Sequence, residues 1–374
     1  MTEAKPAILM LEDGTVFRGT HFGWEGESSG EVVFNTAMTG YEEILTDPSY
    51  CGQMVVMCCP HIGNYGITLE DAESKKIWAE ALIVRQASAL ASSHRAKETL
   101  SEYLKRSRIP GMEGIDTRAL VRRLRTRGAM RGFISNGEIK VEELREKLNA
   151  VPDISSVNLV QRFSDSKTSA SRTFVPEKKP GAKKVAVVDY GTKLNILRCL
   201  EREGLNVVVL TSAATLSDVL QKGVSGVVLS NGPGDPAMVT SGIRLARELI
   251  GYNEKHCLPV MGICLGHQLL GLGAGAETFK LKFGHHGANQ PVRNLRTGQI
   301  EITSQNHNYS VNVEQISGGF EITHINLNDQ TIEGMRHRKY PIFSVQYHPE
   351  SAPGPHDSHY LFSSFKELIH AQAH

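Results

Sequence analysis

Apolar residues in the second half of the chain come in short unbroken runs: Val185-Ala-Val-Val188, Val207–Leu210, Gly226–Ser230 and Leu258–Ile263. Between them, apolar positions recur at helical spacing, predicting helices over 193–203, 214–221 and 239–254, with another starting at Leu265. Runs of Val, Ile and Leu without polar alternation fit strands buried on both faces. The half from residue 184 to 374 is therefore expected to be α/β, an open, mostly parallel doubly wound sheet. A last strand is expected over Pro341–Tyr347.

The first 150 residues read differently, as a mixed β/α domain. Residues 7–18 predict a hairpin turning at Asp13-Gly14, a favoured turn dipeptide. Residues 115–127 predict a helix with Leu120, Val121 and Leu124 as its apolar stripe, Asp116 or Thr117 as its cap and Gly128 as its stop. A second helix is expected over 141–149, with acidic and basic residues paired on its wet face. Residues 163–184 are rich in Ser, Thr, Lys, Pro and Gly, a linker composition. The expected organisation is 1–150, a linker at 151–183, and 184–374.

Charge and composition narrow the partners. A formal net charge of +1 over 374 residues gives no general attraction to nucleic acid or to an anionic membrane. No apolar run approaches the roughly 18 residues needed to span a bilayer, and the opening Met1-Thr-Glu-Ala-Lys-Pro6 lacks a signal-peptide pattern. Six cysteines in so long a chain do not make a disulfide framework, and the cytoplasm is the expected compartment.

In parallel sheets, sites gather beyond the carboxyl ends of strands. One strand runs into Gly262-Ile263-Cys264-Leu265-Gly266-His267-Gln268. A nucleophile between two glycines at a strand-to-helix turn is the thiol counterpart of the Gly-x-Ser-x-Gly elbow. The helix starting at Leu265 aims its positive end at the sulfur, favouring thiolate, and the Leu265 amide can face an oxyanion. The last strand ends in His348-Pro349-Glu350, giving a base and a carboxylate to orient it. A third strand enters Ser230-Asn231-Gly232-Pro233-Gly234-Asp235-Pro236, a loop that lets backbone approach a ligand closely.

Each feature has a plainer reading. A buried Cys is usually a small hydrophobe, His-Pro-Glu is often a turn, and a Gly-Pro-Gly loop can be just a tight connection. Their convergence on one sheet edge carries the argument. Cys58-Cys59-Pro60-His61 lacks the ligand spacing of zinc, so no metal site is expected. His285-His286 could bind metal or substrate, but a polar loop is their expected home, and Gly63-Asn-Tyr-Gly66, without the lysine of a phosphate loop, is expected in a turn. The run Arg122-Arg123, Arg125, Arg127 reads as a solvated helix face or a contact for an acidic partner, since no aromatics interleave with it.

Together, Gly262–Gln268, Ser230–Pro236 and Tyr347-His-Pro-Glu350 resemble the class I (triad) glutamine amidotransferases over residues 184–374. Phe34–Tyr50, His61-Ile-Gly-Asn64 and Gly114–Leu120 resemble the small chains of carbamoyl-phosphate synthetases. The resemblance implies a flavodoxin-like amidotransferase domain in which Cys264 forms a glutamyl thioester, His348 moves protons and Glu350 orients it. It implies an oxyanion hole at the Gly234 and Leu265 amides. Implied glutamine contacts are Ser49, Gly232, Gly234, Leu265, Gln268, Asn306, Asn308 and Tyr309. Where the family often has Asn-His-Gly-Phe, this chain has Asn306-His-Asn-Tyr309; Asn tolerates left-handed backbone better than most residues, and Tyr keeps the ring. The resemblance further implies a large partner subunit that uses ATP, Mg and bicarbonate, no cofactor on this chain, higher assemblies of the heterodimer, and a place in arginine and pyrimidine synthesis. A free-standing γ-glutamyl hydrolase would need neither the front domain nor a partner, and a dead regulatory subunit would lack a triad member.

Overall fold

In the computed structural model, residues 5–136, 140–177, 179–312 and 319–371 are described. The chain divides into two compact units: residues up to Val157 with Lys282–His286, and Asn158–Leu281 with Gly287 onward.

The first unit is a closed barrel. Its strands are β1 (Pro6–Leu11), β2 (Val16–Gly23), β3 (Glu27–Asn35), β4 (Gln53–Met57), β6 (Ala81–Ile83), β8 (Pro110–Glu113) and β9 (Met130–Asn136), in the order β1-β2-β8-β6-β4-β3-β9. The two-residue strands β5 (His61–Ile62) and β7 (Gln86–Ala87) pair beside it. The expected hairpin joins β1 to β2, with Gly14 at φ 83° and Asp13 Oδ1 accepting from Thr15 N at 3.0 Å. β1 is apolar on both faces because both are covered. Ala7, Leu9 and Leu11 point into the barrel with Val32, Met54 and Ile83. Ile8 and Met10 instead pack against Leu144 and Leu148 of helix Val141–Asn149. Each such side chain taken from water contributes about 1.5–3 kcal/mol. Helix Thr117–Arg127 caps itself with Asp116, whose side chain accepts from Ala119 N at 2.9 Å, and stops at Gly128.

The second unit is a nine-stranded sheet built from β10 (Lys184–Asp189), β11 (Asn206–Thr211), β12 (Gly226–Leu229), β13 (Val260–Ile263), β14 (Thr278–Asn294), β15 (Ile300–Val311), β16 (Phe320–Asn326), β17 (Ile332–His337) and β18 (Ile342–Val345). The order is β11-β10-β12-β13-β18-β17-β16-β14-β15. The first five are mutually parallel. Val185 and Val187 face Ile196, Leu200 and Phe365 on one side. Ala186 and Val188 face Val219, Leu249 and Leu269 on the other. This two-sided burial is why their sequences do not alternate.

Beyond β18 the sheet turns antiparallel through β17 and β16. His285 and His286, expected in a polar loop, instead lie buried inside β14. Within the expected linker 151–183 lie helices Leu159–Ser164 and Ala170–Thr173, and Phe163 is fully buried. Gly63–Gly66 forms the expected turn, Gly66 N donating to Gly63 O at 3.1 Å.

Candidate active site

Three adjacent parallel strands, β12, β13 and β18, deliver the chemistry-bearing segments. Cys264 follows β13 and stands at φ 52°, ψ −102°, as the residue before helix Leu265–Gly273. A non-glycine residue held at positive φ costs energy and persists only where its surroundings enforce it. Cys264 N donates to Val345 O at 2.9 Å, and Gly266 N donates to Ser230 O at 3.0 Å, so the elbow is stitched to the strands on either side. The flanking glycines are needed for space. A Cβ at Gly266 would lie 2.0 Å from Leu229 O, and one at Gly262 would lie 2.8 Å from Gly266 O. Gly266→Ala is therefore expected to lower stability by at least about 1–3 kcal/mol or to displace the elbow. A thermal unfolding midpoint within a degree of the parent's would contradict this.

His348 lies just past β18 and is tied to β15 by its N–H, which donates to Ser304 O at 2.9 Å. Its Nδ1 sits 2.6 Å from Glu350 Oε1, with both side chains buried. Its Nε2 is buried without a hydrogen-bond partner among the described residues. Burial pushes the imidazole down, but the Glu350 carboxylate and then the neighbouring Cys264 outweigh it and hold His348 at about 10. Burial likewise pushes Glu350 up, and Lys193 first, then His348, reverse this and hold it at about 2.

Lys193 escapes a motif search. It follows β10, and its Nζ lies 2.9 Å from Glu350 Oε1 with both side chains buried, and also donates to Ser351 O. Its backbone N–H is held by Asn231 Oδ1 at 3.1 Å, linking it to the Ser230–Pro236 loop. The available signal was its place just beyond a parallel strand's carboxyl end. The carboxylate it serves is remote in sequence.

Among the remaining expected residues, Gly232 has no room for a side chain, since a Cβ there would lie 2.5 Å from Tyr190 O. Gly234 stands at φ 87°, a backbone that favours glycine. Leu265 is the first residue of the helix after Cys264. Gln268 is buried, its Nε2 donating to Tyr309 O at 2.8 Å and to Gln346 Oε1 at 3.0 Å. Asn306, Asn308 and Tyr309 lie in β15. Asn308 is extended there rather than left-handed, because the segment pairs as strand. The Cys264 thiol donates to Asn306 O at 3.7 Å. Ser49 belongs to the first unit, in the short helical turn Pro48–Tyr50, where Asp47 Oδ1 accepts its N–H at 2.9 Å.

Residues 9–134 match the family model of the carbamoyl-phosphate synthase small chain, CPSase domain, and residues 186–368 match that of class-I glutamine amidotransferase. The chain is 56% identical to the carbamoyl phosphate synthase small chain of Chlorobaculum tepidum, over 97% of this chain and 98% of the relative. It is 50% identical to that of Aquifex aeolicus, over 97% and 99%. With the relative of Solidesulfovibrio magneticus the identity is 48%, over 97% and 98%. Matches of that depth along almost the whole length, over both units, show that the chain belongs to the carbamoyl-phosphate synthase small-chain family, with a class-I glutamine amidotransferase domain in its second half.

Proposed function

We propose that this chain hydrolyses glutamine to glutamate and ammonia by a Cys264–His348–Glu350 triad, and hands the ammonia to a large subunit that makes carbamoyl phosphate. The observation that carries it is the 2.6 Å contact of His348 Nδ1 with Glu350 Oε1, beside a cysteine on a strained elbow. The sulfur attacks the side-chain amide carbon, and the oxyanion is met by the amides of Gly234 and Leu265. Protonated His348 gives its proton to the departing nitrogen, and ammonia leaves as the glutamyl thioester forms. His348 then takes a proton from water, which cleaves the thioester. Glu350 fixes the imidazole's orientation and stabilises its cation. Lys193 keeps Glu350 ionised. Ser49, Gly232, Gln268, Asn306, Asn308 and Tyr309 complete the glutamine contacts. ATP, magnesium and bicarbonate belong to the large subunit, and the pair serves arginine and pyrimidine synthesis in the cytoplasm. Among the described residues, no helix is long and apolar enough to cross a membrane.

The resting site is not ready to react at full rate. Cys264 and His348 are each only 2% exposed, and the thiol is engaged by Asn306 O at 3.7 Å. Glutamine must move β15 around Asn306 to reach the sulfur, and a misplacement of about 1 Å costs on the order of a hundredfold. The isolated chain is expected to release glutamate slowly. Addition of the large subunit with ATP and bicarbonate is expected to raise the rate at saturating glutamine more than about tenfold. An isolated chain already at full speed would make it a free-standing hydrolase.

A further inference from the structure

The solvent face of helix Thr117–Arg127 carries Arg118, Arg122, Arg123, Arg125 and Arg127, separated only by Ala119 and Thr126, with no acidic residue. Arg123 is paired, its Nε 2.5 Å from Asp13 Oδ2. Among the described residues, the exposed guanidinium groups of Arg118, Arg122, Arg125 and Arg127 have no hydrogen-bond or ion-pair partner. Helix stability accounts for only part of this charge: Arg125 and Arg127 in the last turn complement the negative end of the helix dipole, but the rest of the pattern works against the helix. Arg118 and Arg122 are like charges at i,i+4, as are Arg123 and Arg127, and such pairs repel. Arg118 also stands in the first turn, at the positive end of the helix dipole.

The surface is shaped as well as charged. Ala119 and Thr126, with Arg122, Arg123 and Arg127, line a depression of about 320 Å³. A second, of about 480 Å³, shares Arg123 and Arg127 and continues over Glu12, Asp13, Ala129 and Met130. Small residues between guanidinium forks leave room for carboxylate side chains to enter and be gripped by two N–H groups at once. The chain's net charge is only +1, so the positive charge here is local. Neither the helix nor the residues lining the two depressions include an aromatic side chain for a base to stack on.

We propose that this arginine face docks an acidic surface of the large carbamoyl-phosphate synthase subunit and steers the two chains together. The proposal rests on the reading of this chain as one half of a two-chain enzyme. Charges of this kind act mainly on the association rate and its salt dependence.

The test is the association rate of the full chain with the large subunit at about 50 mM and about 300 mM salt, where the screening length falls by more than half. The wild-type rate should fall steeply with salt. The triple variant Arg118→Glu, Arg122→Glu, Arg125→Glu should associate at least about tenfold more slowly at low salt, with a flattened salt dependence. The corresponding Lys variant should stay within about twofold of wild type, because long-range steering reads charge rather than fork geometry. An unchanged thermal unfolding midpoint and unchanged glutaminase rate of the uncomplexed Glu variant show that its fold survives. A salt-independent wild-type rate overturns the proposal whatever the variants do. So does a Glu variant as fast as wild type, or tight binding of a fluorescent duplex DNA that the same substitutions abolish. A wild-type chain that binds no large subunit at any salt removes the two-chain reading itself.

Discussion

Cys264→Ser is expected to abolish glutamine hydrolysis and leave the fold intact. Serine keeps the shape of cysteine with a smaller atom in place of sulfur, and the elbow's backbone is held by Val345 O and Ser230 O, neither of which depends on the side chain. The alcohol is ionised far less than a thiol at neutral pH, so the attacking species almost disappears. Removing a nucleophile of such a triad costs on the order of a million-fold in turnover. The complex of this variant with the large subunit should still make carbamoyl phosphate from added ammonium, since in the proposed division of labour that chemistry belongs to the other chain. Glutamate release at more than about a hundredth of the wild-type rate, far above that scale, would show that some other residue carries the attack.

Much of this site is legible in the sequence, because its parts are local. Gly262-Ile-Cys264-Leu-Gly266 encodes the elbow by itself: the glycines are small where Leu229 O and Leu270 press in, and the strand before them is continuously apolar. The hairpin at Asp13-Gly14 and the Asp116 cap are equally local. What escapes a linear reading depends on distant partners. Lys193 has meaning only beside Glu350 and Ser351. The antiparallel half of the sheet escapes because β14 and β15 mix polar and apolar residues, and no helix alternates with them to announce a strand. Composition alone misreads residues 163–173, where the apolar side chains of Phe163 and Ala170 are buried. At Asn308 the side chain permits left-handed backbone, but strand pairing decides.

His348→Asn and Glu350→Gln are expected to separate the proton carrier from the group that orients it. His348→Asn removes both the base for the thiol and the acid for the departing nitrogen, and its loss should approach that of the nucleophile. Glu350→Gln leaves an amide that can still hold the ring, so a measurable remnant is expected, on the order of 10⁻⁴ of wild type by analogy with orienting carboxylates elsewhere. The substitution also removes the larger influence that raises His348, while the burial that pushes it down remains. The reactive form needs a protonated imidazole beside the sulfur, so the alkaline limb of kcat/KM should move to lower pH in Glu350→Gln. Stability moves too. Glu350, held at about 2 against an ordinary 4.5, contributes stability that is complete above about 4.5 and lost as pH falls toward about 2. In Glu350→Gln that acid-labile part is absent, and buried Lys193 loses its carboxylate. Breaking a buried pair costs about 3–5 kcal/mol, so the variant should be measured well below its lowered melting temperature. Glutamate release from about pH 5 to about pH 11 decides the matter, a range that brackets an ordinary and a raised histidine. Equal and complete loss in both variants, or an alkaline limb that stays in place, would mean that Glu350 supports the fold and does not tune His348.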